Sequence, residues 1–361
     1  ILGLIIFWGT LWIIPLVVAL PFFLIKSIGE SFFRINHKHH MVQAVGVLGM
    51  VFYLIFLFLF RKSGEVGIIS AFAVSYIFVS LVVLVMNYGN FSEVYRKFAI
   101  DIGSVREYFR KGVVTALIAA SFAFLGWIDS FILGILSTYK NVADYNIAGA
   151  ISGIIVTIPL SLSMFLLTRS AEVGGIKKSK AILYRILRIS FSFSLLSAIV
   201  LVSFMPILLK IFFPKYVGVG PFVMVLLLSL LFYAIHYTIS TYYSGRLEPE
   251  MVLVPIVFAA LLNIILDVVL IPQYGVFGIT VATLIAHFSA MFLLLVKSKM
   301  VDYLLPVVLM SSFVWAAYVL GIFGLLLLVP VIPLLFFSEM LTREDWEIFV
   351  DVLKNSVSKK N

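Results

Sequence analysis

The chain has 361 residues, of which 63% are hydrophobic and only 12% are charged. A soluble domain carries about 25% charged residues. The apolar residues here fall in blocks long enough to cross a hydrocarbon core, which needs about 20 in succession. With no cysteine, disulfides and thiolate metal sites are excluded. The formal net charge of +9 lies in the connections between apolar blocks, which points to membrane orientation and away from nucleic acid.

Taken in order, the blocks predict eleven spans: 1–25, 42–60, 67–86, 112–136, 143–168, 186–209, 217–243, 251–271, 276–296, 303–320 and 321–337. The expected fold is an all-α polytopic membrane protein. A transmembrane barrel would show shorter alternating segments. Residues 87–111 interleave apolar positions such as Phe91, Tyr95, Phe98 and Ile102 with charges, and read as an amphipathic surface helix. The expected divisions are 1–86, the linker 87–111, a six-helix lobe at 112–302, and two further helices with a polar tail at 303–361.

Of 26 Lys and Arg, only Arg61, Lys62, Lys140, Lys210 and Lys215 fall in one alternate set of connections; the rest fall in the other set. That bias predicts a cytoplasmic C-terminus in a cell membrane and leaves no basic residue inside a span.

The chain also aligns against itself. Ser31–Met41 lies against Thr241–Met251, each a short polar connection entering an apolar span. Gly64-Glu-Val-Gly67 lies against Gly275-Val-Phe-Gly278, each opening a span after a reversal; the second reversal is expected over Pro272–Gly275. An even number of spans separates the copies, which makes a parallel repeat of the kind that pairs transporter halves. Spans 1–3 match spans 7–9, so the expectation is two pseudo-repeated lobes, the first truncated at its N-terminus.

Three stretches carry a family resemblance. Gly126-Trp-Ile-Asp-Ser-Phe-Ile-Leu-Gly134 is similar to an Asp-containing opening helix. Val142-Ala-Asp-Tyr-Asn-Ile-Ala148 resembles a Gly-x-Tyr-x-x-Ala step, with Ala143 and Asp144 where Gly is usual. Asn263–Thr283 resembles an Asn…Ile-Pro-x-Tyr-Gly-x-x-Gly turn. Together they resemble the exporter superfamily that joins multidrug pumps to oligosaccharide-lipid flippases, and within it the polysaccharide-biosynthesis (Wzx-type) flippases. The resemblance implies two six-helix lobes, often followed by two more helices, that move a lipid-linked glycan by alternating access. It implies no cofactor and no enzymatic activity.

Asp129 and Asp267 are carboxylates inside spans, where such groups cost roughly 2.5–3.5 kcal/mol and face protein or water. Asn263 shares a helix face with Asp267. His236 and His287 are the histidines within spans. These five are the candidate transport-cavity residues; helix–helix hydrogen bonding, or interfacial solvation for Asp267, is the plainer reading. A coupling ion, proton or sodium, would use the carboxylates. Arg169, Arg185 and Arg188, within a cluster that includes Lys177, Lys178 and Lys180, are candidate contacts for a phosphate or anionic lipid. His37, His39 and His40 have no clear carboxylate partner and make a poor metal site. Gly149-Ala-Ile-Ser-Gly153 predicts close helix contact. There is no phosphate loop and no His-Glu-x-x-His pair, which argues against ATP-driven transport by this chain. The two rivals are a cation-coupled multidrug exporter, whose cavity would favour acidic and aromatic groups, and a membrane glycan polymerase, which would need a larger non-membrane segment.

Overall fold

The computed structural model describes residues 2–36, 38–96, 102–157, 159–163, 166 and 176–345. Among them every regular element is helical. This is the all-α membrane architecture expected. Nine helical segments of the described residues are long and apolar enough to cross a bilayer. One of these, Val301–Phe337, contains both of the last two expected spans. The expected span at 143–168 runs into residues outside the described set.

The chain divides into two compact units, residues 1–102 and 103–361. In the first, α1 (Leu2–Ile35) and α2 (His39–Leu59) both pack on α3 (Gly64–Met86), and α4 (Tyr88–Arg96) follows. The small core of this unit is Phe33, Val42, Val45, Val79 and Val83. The linker expected over 87–111 is described in two helical parts, and residues 97–101 between them lie outside the described residues. Its first part is α4, and its last part, from Ile102, belongs to α5 (Ile102–Leu136).

The second unit is built around α8 (Gly220–Gly245), which packs against α6 (Tyr139–Ser152), α7 (Ile176–Phe212), α10 (Val276–Lys297) and α11 (Leu304–Leu320). A helix buried on most sides should carry no charge on any face, and α8 has no Asp, Glu, Lys or Arg. α9 (Glu250–Tyr274) lies along α10. The chain ends, within the described residues, with α12 (Leu328–Phe337) and a short polar segment.

The repeat seen in the sequence has a backbone signature. Gly64 and Gly275 open α3 and α10 with φ of +57° and +55° and ψ of −138° and −128°, values that only glycine adopts without strain. Three residues later, a Cβ added at Gly67 would sit 2.3 Å from the Phe60 carbonyl, and one at Gly278 would sit 2.4 Å from that of Leu270. Each Gly-x-x-Gly therefore makes the turn with its first glycine and lets the returning helix touch the departing one with its second. A third copy, Gly321-Ile-Phe-Gly324, went unnoticed in the sequence. Gly321 has φ +55°, and a Cβ at Gly324 would sit 2.6 Å from the Ala317 carbonyl. This turn divides the final apolar segment into the two spans expected.

Three expectations need correction. The reversal at Pro272–Gly275 is a single residue: α9 stays helical through Tyr274, and Gly275 makes the turn. Pro272 lies within this last helical turn. Secondly, Lys26 is not in a connection. α1 continues to Ile35, and the apolar segment Ile14–Ile35 contains Lys26, Glu30 and Arg34. Charge alone ended the expected span too early, whereas spacing of four residues lets opposite charges pair along the helix. Thirdly, a Cβ at Gly149 or Gly153 would meet nothing within 4 Å, so these glycines mark no close helix contact among the described residues.

Candidate functional site

Four helices of the second unit place polar side chains at one buried point. α5 supplies Asp129, α6 supplies Tyr145, α9 supplies Asn263 and Asp267, and α10 supplies Thr283. The Asp129 Oδ2 accepts from the Tyr145 hydroxyl at 2.5 Å and from the Thr283 Oγ1 at 2.8 Å. The Asn263 Nδ2 donates to Asp267 Oδ2 at 3.4 Å, the i,i+4 pairing expected from the sequence. The Asn263–Asp267 pair lies beside the Asp129 carboxyl, which brings the five side chains to one place. Asp129 is 1% exposed, and Asn263 and Asp267 are fully buried. Interfacial solvation of Asp267 is thereby excluded.

The network has a surplus of acceptors. Asp129 Oδ1, Asn263 Oδ1 and Asp267 Oδ1 are buried and make no hydrogen bond in the structure. Buried polar groups in a low-dielectric interior are costly when unpartnered. Two carboxylates at one such point cannot both stay ionised without a counter-charge. The arrangement can therefore hold a proton between them or a small hard cation, for which uncharged and anionic oxygens are the suitable ligands.

Apolar residues seal one side. Ile132 and Leu133 follow Asp129 by one turn of α5, Ile271 follows Asp267 by one turn, and Val276 and Ile279 precede Thr283 on α10. These five form a buried apolar cluster at the Gly275 end. Tyr145 and Thr283 were missed as site residues in the sequence. Both lie inside the stretches quoted for the family resemblance, and their hydroxyls are the signal that could have found them.

The two predicted histidines come together elsewhere. His236 Nε2 and His287 Nδ1 are 3.0 Å apart, in the helix-packed core between α8 and α10. The Arg candidates meet the C-terminal segment. Arg185 Nε donates to Asp345 Oδ1 at 2.7 Å, and Arg188 Nη2 lies 3.8 Å from Asp345 Oδ2. Arg169 and Lys177 lie outside the residues whose side chains are described, as do His37 and His39.

The first unit holds a cavity of about 450 Å³ between α1, α2 and α3, with Gly46, Gly49, Tyr53, Phe72 and Tyr76 in its wall. Lys26 faces it, paired to Glu30 at 2.6 Å and 5.5 Å above the Tyr76 ring; Arg34 takes the other Glu30 oxygen at 3.3 Å. Glu30 is a further carboxylate within an apolar helical segment, hidden in the sequence by its basic neighbours.

No family model matches the chain. An uncharacterized membrane protein of Methanocaldococcus jannaschii is 24% identical over 358 aligned positions, covering 93% of this chain and 68% of that protein. Among solved structures, the lipid II flippase MurJ in an inward closed conformation superposes with a TM-score of 0.64. It is 18% identical, covering 89% of this chain and 71% of that one. A MATE protein, crystallised as a mutant, gives 0.63 at 16% identity, covering 82% and 69%. The chain shares the fold of these two proteins.

Proposed function

We propose that the protein is a cation-coupled membrane transporter of the superfamily that holds flippases and multidrug exporters, moving a lipid-linked oligosaccharide or polysaccharide precursor across the cell membrane by alternating access. The carrying observation is the buried Asp129–Asp267 pair and its neighbour Asn263, with three unpartnered oxygens, in a fold shared with a flippase and a MATE protein. A site that binds a cation only when correctly packed ties ion occupancy to the arrangement of α5, α6, α9 and α10. An ion can drive a conformational equilibrium only through such differential affinity. The resemblance to Wzx-type flippases supports the lipid-linked glycan as substrate. The reading requires no catalytic residue and no cofactor.

A multidrug exporter is the second reading, favoured by one observation: the buried polar cluster is acidic and aromatic, and Arg185 and Arg188 are engaged by Asp345. Reconstitution of the full-length protein in liposomes separates the two. Transfer of a defined lipid-linked oligosaccharide between leaflets, dependent on a sodium or proton gradient, supports the flippase reading. Ion-driven efflux of an organic cation without glycolipid transfer overturns it.

A further inference from the structure

His236 and His287 are not absorbed by the carboxylate site, yet they are built as a pair. His236 is fully buried and His287 is 4% exposed. Their rings lie 5.1 Å apart at 25°, with Phe122 of α5 stacked on His236 at 5.7 Å and Tyr233 edge-on to both. One ring nitrogen of each is spent on the bridge between them, and His236 Nδ1 is buried without a partner. The titratable groups in ring contact with the pair are Tyr233 from α8 and, across Phe122, Tyr237; the charged group of α5 on this side is Asp129, which Thr283 of α10 holds one turn away.

That geometry fixes a stoichiometry. In the neutral pair, one bridging nitrogen carries a hydrogen and the other offers its lone pair. Adding one proton leaves an imidazolium donating across the same bridge to a neutral imidazole, a charge-assisted bond. Adding a second would set two N–H groups against each other at 3.0 Å and break it. His287 follows Thr283, which holds Asp129, by four residues of α10, about 6 Å along the axis. α8 also meets α10 at that level, where the Ser229 hydroxyl donates to the Thr283 carbonyl at 3.3 Å. A charge on the imidazoles and a charge on the carboxylates are therefore neighbours in a low-dielectric interior.

We infer that His236 and His287 form a binding site for a single proton, linked through α10 to the Asp129–Asp267 cluster. Negative charge on the cluster stabilises the proton on the histidines; a cation in the cluster repels it. The two ions then compete without sharing a ligand. Only the competition by sodium rests on the cation-site reading given above.

The test is nitrogen NMR of the full-length protein in lipid with ¹⁵N-labelled histidine, titrated between about pH 5 and 8. His236→Gln and His287→Gln assign the signals among the five histidines. One imidazolium, shared by the two rings, is expected. The Asp129→Asn, Asp267→Asn double variant is expected to bind that proton about tenfold more weakly, a Coulomb effect of one charge at this range. Saturating sodium on the wild type should do the same. A pair that stays neutral, or takes two protons, overturns the inference, as does a double variant with unchanged proton affinity. Should the double variant not fold, the number of protons taken up by the wild type decides. Sodium without effect, beside a double variant that shows the loss, contradicts sodium as the cation and leaves the histidine site standing.

Discussion

Asp129 is held as a one-sided ligand. Tyr145 and Thr283 both donate to its Oδ2, which leaves Oδ1 with nothing to accept beside Asn263 and Asp267. Replacing Asp129 by Asn keeps shape and removes charge. Asp129→Asn is expected to express and fold while binding its cation at least about tenfold more weakly, measured by equilibrium binding of radioactive sodium and by the pH dependence of binding. Wild-type affinity in that variant would remove the residue from the site. Tyr145→Phe and Thr283→Val each delete one donor to Oδ2. Each should cost about 1–2 kcal/mol of stability, the range for a hydrogen bond between membrane helices, read as a lower Tm in detergent. Thr283→Ser keeps the hydroxyl and should retain both stability and binding.

At the scale of elements, the Gly-x-x-Gly turn is the unit from which the helix pairs are made. Its two glycines do different work, and substitution separates them. Gly275→Ala forces an L side chain to φ +55° and ψ −128°, a strain of roughly 1–3 kcal/mol. Gly278→Ala instead drives a Cβ into the backbone of Leu270, which can retreat only by parting α9 from α10, at about 1–3 kcal/mol. Gly126→Ala meets open space in the interior of α5 and should leave Tm unchanged or raise it, since alanine favours the helix by about 0.5–1 kcal/mol. Equal Tm values for Gly278→Ala and Gly126→Ala would show that the close helix contact is wrong. The helices and the repeat were legible in the sequence because length of apolar run and turn glycines are local properties. The end of α1 was not, because Lys26, Glu30 and Arg34 pair along the helix and so remain in it. Asp129, Asn263 and Asp267 stood out as rare charges and amides in apolar runs. Their convergence with Tyr145 and Thr283 depends on how four helices pack, which no single run encodes.

Among the described residues, each unit holds buried or half-buried ion pairs. In the second, Asp345 is 2% exposed and binds Arg185, while its Oδ2 also accepts from the Thr342 hydroxyl at 2.6 Å. The Ser192 hydroxyl donates to the Met340 carbonyl at 2.7 Å, so the segment after α12 is fastened to α7 at two points. Asp345→Ala should release it, remove the buried carboxylate that Arg185 and Arg188 share, and expose residues 338–345 to limited proteolysis; a digestion pattern identical to wild type would refute the fastening. The carboxylate site, the histidine pair and this fastening all lie in the second unit. The proposal makes that unit the part that senses ions, and it makes transport fail when ion binding fails. The decisive measurement is glycolipid transfer between leaflets of liposomes holding the full-length protein, wild type beside Asp129→Asn, with and without a sodium or proton gradient. Gradient-dependent transfer by the wild type and its loss in Asp129→Asn is the expected result. Transfer that proceeds equally in the variant, or without any gradient, would contradict cation coupling at this site.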